Sequence, residues 1–287
     1  MGFELGANRY GKADIHMATV TRRDDRHDFS ERLLDVRLDG DFDAVYVEGD
    51  NANVLPTDTM RASAYALAFE RPDEELERFA LRYSVYLLDA SPAATRAEVW
   101  VSERPWERVA INGTPHHHTF TRGAHRWTGH VLRSRDEVHV SSGLDELYLL
   151  KTTGSAFGGF LKDRFTILPE TDDRIMATKV EARWTYSAVD VDFTKERETC
   201  RDAIVRAFAQ HDESGSVQHT LWHMGREVLG AAPNVDEITF SLPNLHHILV
   251  DLAYAEIQND GTVFVVTDEP SGRIEGTVRR SEAAPTA

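Results

Sequence analysis

Lys179-Val180-Glu181-Ala182-Arg183-Trp184-Thr185-Tyr186 alternates charged or hydroxyl side chains with apolar ones over eight consecutive positions. A period of two is the signature of a strand with one face buried and one wet, which points to an antiparallel sheet covered on a single side. Downstream the period changes. Cys200, Ala203, Ile204, Ala207 and Phe208 form one helical stripe, and Val217, Leu221, Met224 and Val228 form another, with Gly230 placed to end it. Apolar segments at 238–242, 248–254 and 263–266 then read as returning strands.

The same order precedes it in the first half. Val36 and Leu38, then Phe42, Ala44 and Tyr46, are interrupted by Asp39-Gly40 and predict a hairpin. A helix is expected from Thr57-Asp58, where a hydroxyl can cap free amides and a carboxylate suits the positive end of the dipole. Leu76, Phe79, Ala80, Tyr83 and Leu87 mark a second helix, closed by Ser91-Pro92, before strands resume at Ala97, Val99 and Val101. Strand, strand, helix, helix, strand, strand, twice over, predicts an α+β fold: an antiparallel sheet with helices on one face. The expected halves are 1–140 and 141–287, the second ending in a polar tail from about Arg279.

Composition narrows the function classes. Of 287 residues, 41% are apolar and 28% charged, ordinary for a soluble globular chain. Met1 to Arg9 has no secretory apolar stretch, and no run approaches membrane-span length, so a cytoplasmic location with no membrane partner is expected. The formal charge of -16 disfavours nucleic acid as a partner, and it obliges any small anionic substrate to find a local cationic pocket. Cys200 is the single cysteine, which precludes an intrachain disulfide and reads as a buried thiol.

Ser241-Leu242-Pro243-Asn244-Leu245-His246-His247 interrupts two apolar segments. Pro243 cannot donate to a ladder there, and residues two apart on extended chain share a face, so Asn244 and His246 are expected together at a strand junction. Singly, the other polar candidates are ordinary: Lys12 near a strand start, Thr57 at a helix start, Arg174 in an acidic turn and Gln218 in a first helical turn.

Together they are not ordinary. YGKADI at 10–15, GDFDAVYVEGDNANVLPTDT at 40–59, SAFGGFLKDRFTIL at 155–168, DDRI at 172–175, SVQ at 216–218 and SLPNLHH at 241–247 resemble the urate oxidase (uricase) family of bacterial type, in order along roughly residues 7–280. The resemblance implies tandem tunnelling-fold (T-fold) domains whose subunits close into an oligomeric β-barrel, a homotetramer with active sites between subunits. It implies oxidation of urate by dioxygen, with water, to 5-hydroxyisourate and hydrogen peroxide, without a cofactor.

By the same resemblance, Arg174 and Gln218 clamp the purine, Phe157 stacks on it, and the Val217 backbone adds a contact, with Leu168 and Ile274 as walls. Lys12, Thr57 and His246 correspond to the proton relay, Thr57 and Asp58 coming from a neighbouring subunit. Asn244 corresponds to the group holding dioxygen or water over the ring. Leu245 departs from the family's usual lysine, and Pro56 from its usual small residue. The C-terminus lacks Ser-Lys-Leu, as expected of a bacterial cytoplasmic member.

Competing readings are a metal centre at His116, His118 and His246-His247, a T-fold enzyme on a pterin or another purine-like heterocycle, and a urate-binding barrel without catalysis. No His/Cys/Asp/Glu spacing matches a known metal motif, so no metal is expected. An arginine and a glutamine favour an anionic ring over the heterocycles that relatives grip with a carboxylate.

Overall fold

In the computed structural model, which describes residues 2–281, the chain divides into two compact units. The first comprises residues up to Gly143 together with Ala188–Thr194, and the second comprises Leu144–Ser187 and the residues from Lys195 on.

The first unit opens with β1 (Tyr10–Arg22) paired antiparallel to β2 (His27–Gly40), from Tyr10↔Leu38 to Arg22↔His27. Ile15 and Met17 on β1 and Leu34, Val36 and Leu38 on β2 turn the same face to the core. The turn expected at Asp39-Gly40 is not there, because β2 runs through to Gly40 and the chain then enters a short helix, α1 (Asp43–Val47). Gly40 presses so closely on the backbone of Ala93 that no Cβ would fit, and Phe42 packs edge-on against Tyr10 with ring centroids 4.8 Å apart. The spacing of Phe42, Ala44 and Tyr46 therefore belongs to a buried anchor and a helical turn.

Two longer helices, α2 (Thr57–Glu70) and α3 (Leu76–Ala90), follow as expected, the second ending at Ser91. Leu76, Phe79, Ala80, Tyr83 and Leu87 are all buried, and each large side chain removed from water contributes about 1.5–3 kcal/mol. They pack against β3 (Ala94–Glu103) and against β6 (Arg126–Ser134). Between these two strands lies a separate hairpin of β4 (Trp106–Ile111) and β5 (Thr114–Arg122). The strand order is β1-β2-β3-β6, continued by β7 (Val138–Lys151), which begins in the first unit and ends in the second.

The second unit orders its strands β7, then β8 (Met176–Tyr186), β9 (Val235–Pro243) and β12 (Arg273–Arg279). Val180, Ala182 and Trp184 are buried as the alternation requires. The stripes of α4 (Phe193–Gln210) and α5 (Val217–Ala231) are buried too, and α5 lies against β9 and β12. Burial also raises the pKa of the Cys200 thiol. Gly230 does not stop α5, which continues to Ala231 with Ala232 as its cap.

The returning strands differ in part from expectation. His246–Leu249 forms β10, paired with β11 (Phe264–Thr267), while Ala253–Ala255 is a 3-10 turn. Strand β12, unmarked by strong alternation, pairs Val278 with Ile238. Of the expected tail, Arg279 still belongs to β12, and the Arg280 side chain donates to the carbonyls of Leu229, Ala232 and Val235. Residues 282–287 lie outside the described residues. No helix among the described residues is long and apolar enough to cross a membrane.

Candidate active site

In the second unit three stretches distant in sequence are stitched together by backbone hydrogen bonds. Phe157 and Thr171 exchange bonds of 2.8 and 3.0 Å, and Ala156 N donates to Ser214 O at 2.7 Å while Ser214 N donates to Gly154 O at 3.1 Å. The segment around 154–157 is thus held on one side by the chain leading to Arg174 and on the other by the chain leading to α5. Gly154 takes φ +78°, and an added Cβ would sit 2.7 Å from Asp212 O, so a side chain is excluded there.

This frame brings Phe157 and Arg174 together. The Arg174 guanidinium lies 5.2 Å from the centre of the Phe157 ring, which stacks at 4.9 Å on Phe160. Among the described residues no carboxylate lies within ion-pair distance of Arg174, and burial holds its pKa below the usual arginine value. A partly desolvated, unpaired cation over an aromatic face has the chemistry to receive a flat anion, because the guanidinium offers two parallel N–H donors in the plane of its charge.

Gln218 is exposed at the first turn of α5, next to Val217, whose own side chain is core. Ser216 caps that helix by accepting from His219 N at 3.1 Å. The amides of Val217 and Gln218 have no intrahelical acceptor at this end and remain able to donate. Leu168 lies in an irregular segment whose Leu161, Phe165 and Ile167 are strongly exposed, and Ile274 pairs with Leu242 in the sheet.

At the junction between β9 and β10 the chain is pinned residue by residue. Asn244 N donates to Gly272 O at 2.8 Å, Leu245 N donates to Ala177 O at 2.9 Å, and the Thr178 hydroxyl donates to Pro243 O at 2.9 Å. Gly272 leaves room for the Asn244 amide, whose Nδ2 would stand 3.2 Å from an added Cβ. His246 opens β10 opposite Thr267.

Lys12, Thr57 and Asp58 belong to the first unit. Gly11 lies too close to the Val36 carbonyl for any side chain, and the register of β1 shifts just after Lys12, with Asp14 at φ +55°. Tyr10 links this strand to the start of α2, since its hydroxyl accepts from Leu55 N at 2.9 Å. The expected cap at Thr57 does not form. Pro56 occupies the cap position and Thr57 is the first helical residue, so its hydroxyl is not engaged by the helix backbone. Asp58 pairs with Arg61 at 2.6 Å.

Two contributors lay beyond the sequence reading. Asp173 accepts from Thr153, Gly154 and Ser155, and Ser214 forms the bridge to 155. Their only sequence signal is proximity to Arg174 and Gln218. His116 and His118 do share a strand face, with ring centroids 4.8 Å apart. Among the described residues no group of three or more His, Cys, Asp or Glu is arranged to hold a metal ion.

Comparison with known proteins gives this geometry its family. The uricase family model matches residues 8–131 and 140–275. The chain belongs to the uricase family. It is 39% identical to the uricase of Arthrobacter globiformis over 277 residues, covering 96% of this chain and 90% of the relative. It is 37% identical to that of Dictyostelium discoideum over 283 residues, covering 96% and 97%. A crystal structure of the Arthrobacter globiformis uricase superposes with a TM-score of 0.93 at 38% identity, covering 100% of this chain and 98% of that one. The uricase fold of tandem tunnelling-fold domains, with an antiparallel sheet and helices, is therefore the fold of this chain. Family membership over nearly the whole length leaves the pterin and non-catalytic readings without support.

Proposed function

We propose that the residues above share out one reaction, the oxidation of urate by dioxygen. The reaction takes urate, dioxygen and water to 5-hydroxyisourate and hydrogen peroxide: two electrons leave the purine for oxygen, and the oxygen of water becomes the new hydroxyl. Urate oxidase activity follows from membership of the family, and the roles of individual residues are our reading.

The carrying observation is the unpaired, partly buried Arg174 guanidinium over Phe157. Urate binds as an anion, with Arg174 and the Gln218 amide each making paired contacts along one edge. The Val217 amide adds a donor, and the Phe157 ring covers one face. Holding the ring flat and immobile supplies the orientation on which an intermolecular electron and proton transfer depends. Asn244 holds dioxygen, then water, over the ring.

Lys12, Thr57 and His246 move protons. A hydroxyl between two titratable groups can accept from one and donate to the other, the usual requirement for acid-base help. Free of a capping bond, the Thr57 hydroxyl is available for this task. Asp58 beside it completes the substrate contacts. In this reading Thr57 and Asp58 of one copy meet Lys12, His246 and the purine grip of a neighbour, within a homotetramer whose sheets close a barrel and leave no edge unpaired. No cofactor is assigned a role, and the enzyme is assigned to the cytoplasm, with the halves 1–140 and 141–287 as tandem domains.

The test is to mix purified enzyme with urate in air-saturated buffer and to follow the urate ultraviolet band and peroxide together. One peroxide formed for each urate lost is expected. Urate loss without peroxide would refute the reaction, and no loss at all would refute the activity.

A further inference from the structure

We infer that Asp173 is a positioning residue for the urate grip: its carboxylate fastens the segment carrying Phe157 to the segment carrying Arg174. The inference rests on the reading of Arg174, Phe157 and Gln218 as that grip. Asp173 Oδ2 accepts from the Thr153 hydroxyl at 2.6 Å, and Oδ1 accepts from Gly154 N at 2.8 Å and Ser155 N at 3.3 Å. The Thr171 hydroxyl donates to Asp173 O at 2.7 Å and closes the turn from the other side.

The consequence follows from where those partners stand. Gly154 and Ser155 lead directly to Phe157, and both are tied to Ser214, three and four residues before Val217 and Gln218. Arg174 is the residue after Asp173. The carboxylate therefore adds a side-chain tie to the Phe157–Thr171 backbone pair in setting the spacing between the cation and the aromatic ring, and it does so from one end of the frame that also reaches α5. Its hydrogen bonds, led by that of the Thr153 hydroxyl, hold its pKa below the usual aspartate value, so it stays an acceptor across the range in which an enzyme works.

Asp173 contributes nothing to the apolar core, being exposed and partnered only by a hydroxyl and amides. Removing it frees those donors to water at little cost to folding, while the separation of Arg174 and Phe157 is left to the Phe157–Thr171 backbone pair alone and loosens. Binding of urate then has to order the segment at the moment of capture, which weakens affinity without altering the chemistry that follows.

The experiment measures urate affinity under nitrogen, turnover at saturating urate in air, and thermal midpoint. For Asp173→Ala the expected result is affinity weakened about 10-fold or more, turnover within about threefold of wild type and an unshifted midpoint, the pattern of lost preorganisation. Asp173→Asn should recover most of the affinity, because its amide oxygen can accept from Gly154 and Ser155 while its NH2 donates to Thr153 Oγ1. The double variant with Arg174→Ala should bind no worse than Arg174→Ala alone.

Wild-type affinity in Asp173→Ala, with affinity lost in Arg174→Ala, would overturn the inference and leave the grip intact. Unchanged affinity in Arg174→Ala would overturn the grip itself. A full additive penalty in the double variant, or a lowered midpoint with turnover and affinity falling together, would overturn the positioning role.

Discussion

The two ends of the proposed site are built in opposite ways. Around Arg174 the second unit is already assembled: backbone bonds lock Phe157 to Thr171 and Gly154 to Ser214, and a desolvated cation stands over a ring. Around Lys12 the first unit is shaped but unengaged, with a strand irregularity just after Lys12 and a helix whose first hydroxyl, on Thr57, caps nothing. The contrast teaches a division of labour. Binding needs a rigid receptor, whereas proton transfer needs groups free to change partners as protons move.

If that division holds, the largest effect belongs to the relay. Lys12→Ala or Thr57→Ala should lower turnover about 100-fold or more, the scale of lost acid-base help, as read from initial rates of urate loss. Near-normal turnover in either variant removes that residue from the relay. Mixing the two variants sharpens the contrast. If Lys12 and Thr57 meet across a subunit boundary, about half the sites at a mixed two-fold boundary hold both intact residues, and activity returns in verified mixed assemblies. No recovery would argue against a shared site.

A smaller effect separates framework from function. Gly225 on α5 faces Val278 of β12, whose Cβ would be 2.7 Å from an added methyl group. Gly225→Ala should cost about 1–3 kcal/mol of stability by forcing the helix off the sheet, measured by urea unfolding. An unchanged midpoint would show that this packing can relax.

The smallest expected effect is on pH. His211 sits beside His219 and His223, at 4.6 and 4.5 Å between ring centroids, with Lys151 donating to its carbonyl and Asp212 next in sequence. Burial first, then the nearness of His223, His219 and Lys151, pushes its pKa down to about 4, against the opposing pull of Asp212. The unfolded chain takes up this proton at a higher pH than the folded one, so stability is full at neutral pH and falls as pH drops from the ordinary histidine value toward about 4. His211→Asn should flatten that profile, with a difference in thermal midpoint between pH 7 and 5 of about 2–4 °C. Identical profiles would remove His211 as the cause.

Much of the fold was legible because burial imposes period: the stripes of α3, α4 and α5 and the alternation of β8 read directly from Leu76, Cys200, Val217 and Val180 onward. What misled was local. Asp39-Gly40 looks like a turn, but Gly40 is glycine because Ala93 lies against it, a contact more than fifty residues away that no local pattern carries. Strand β12 was missed because Arg273, Glu275 and Thr277 alternate with only Ile274, Gly276 and Val278, and the small Gly276 hides the buried face. Within the site, the side chains proposed to meet substrate were recognisable as motifs. Asp173 and Ser214, which act through hydrogen bonds to backbone, leave no such trace.

The most direct test of the division of labour is to titrate urate under nitrogen into Arg174→Ala and Lys12→Ala side by side. Arg174→Ala is expected to lose about 100-fold or more in affinity, since the anion would then be buried without its cation, while Lys12→Ala binds within about threefold of wild type. Equal losses in both variants, or a loss confined to Lys12→Ala, would contradict it.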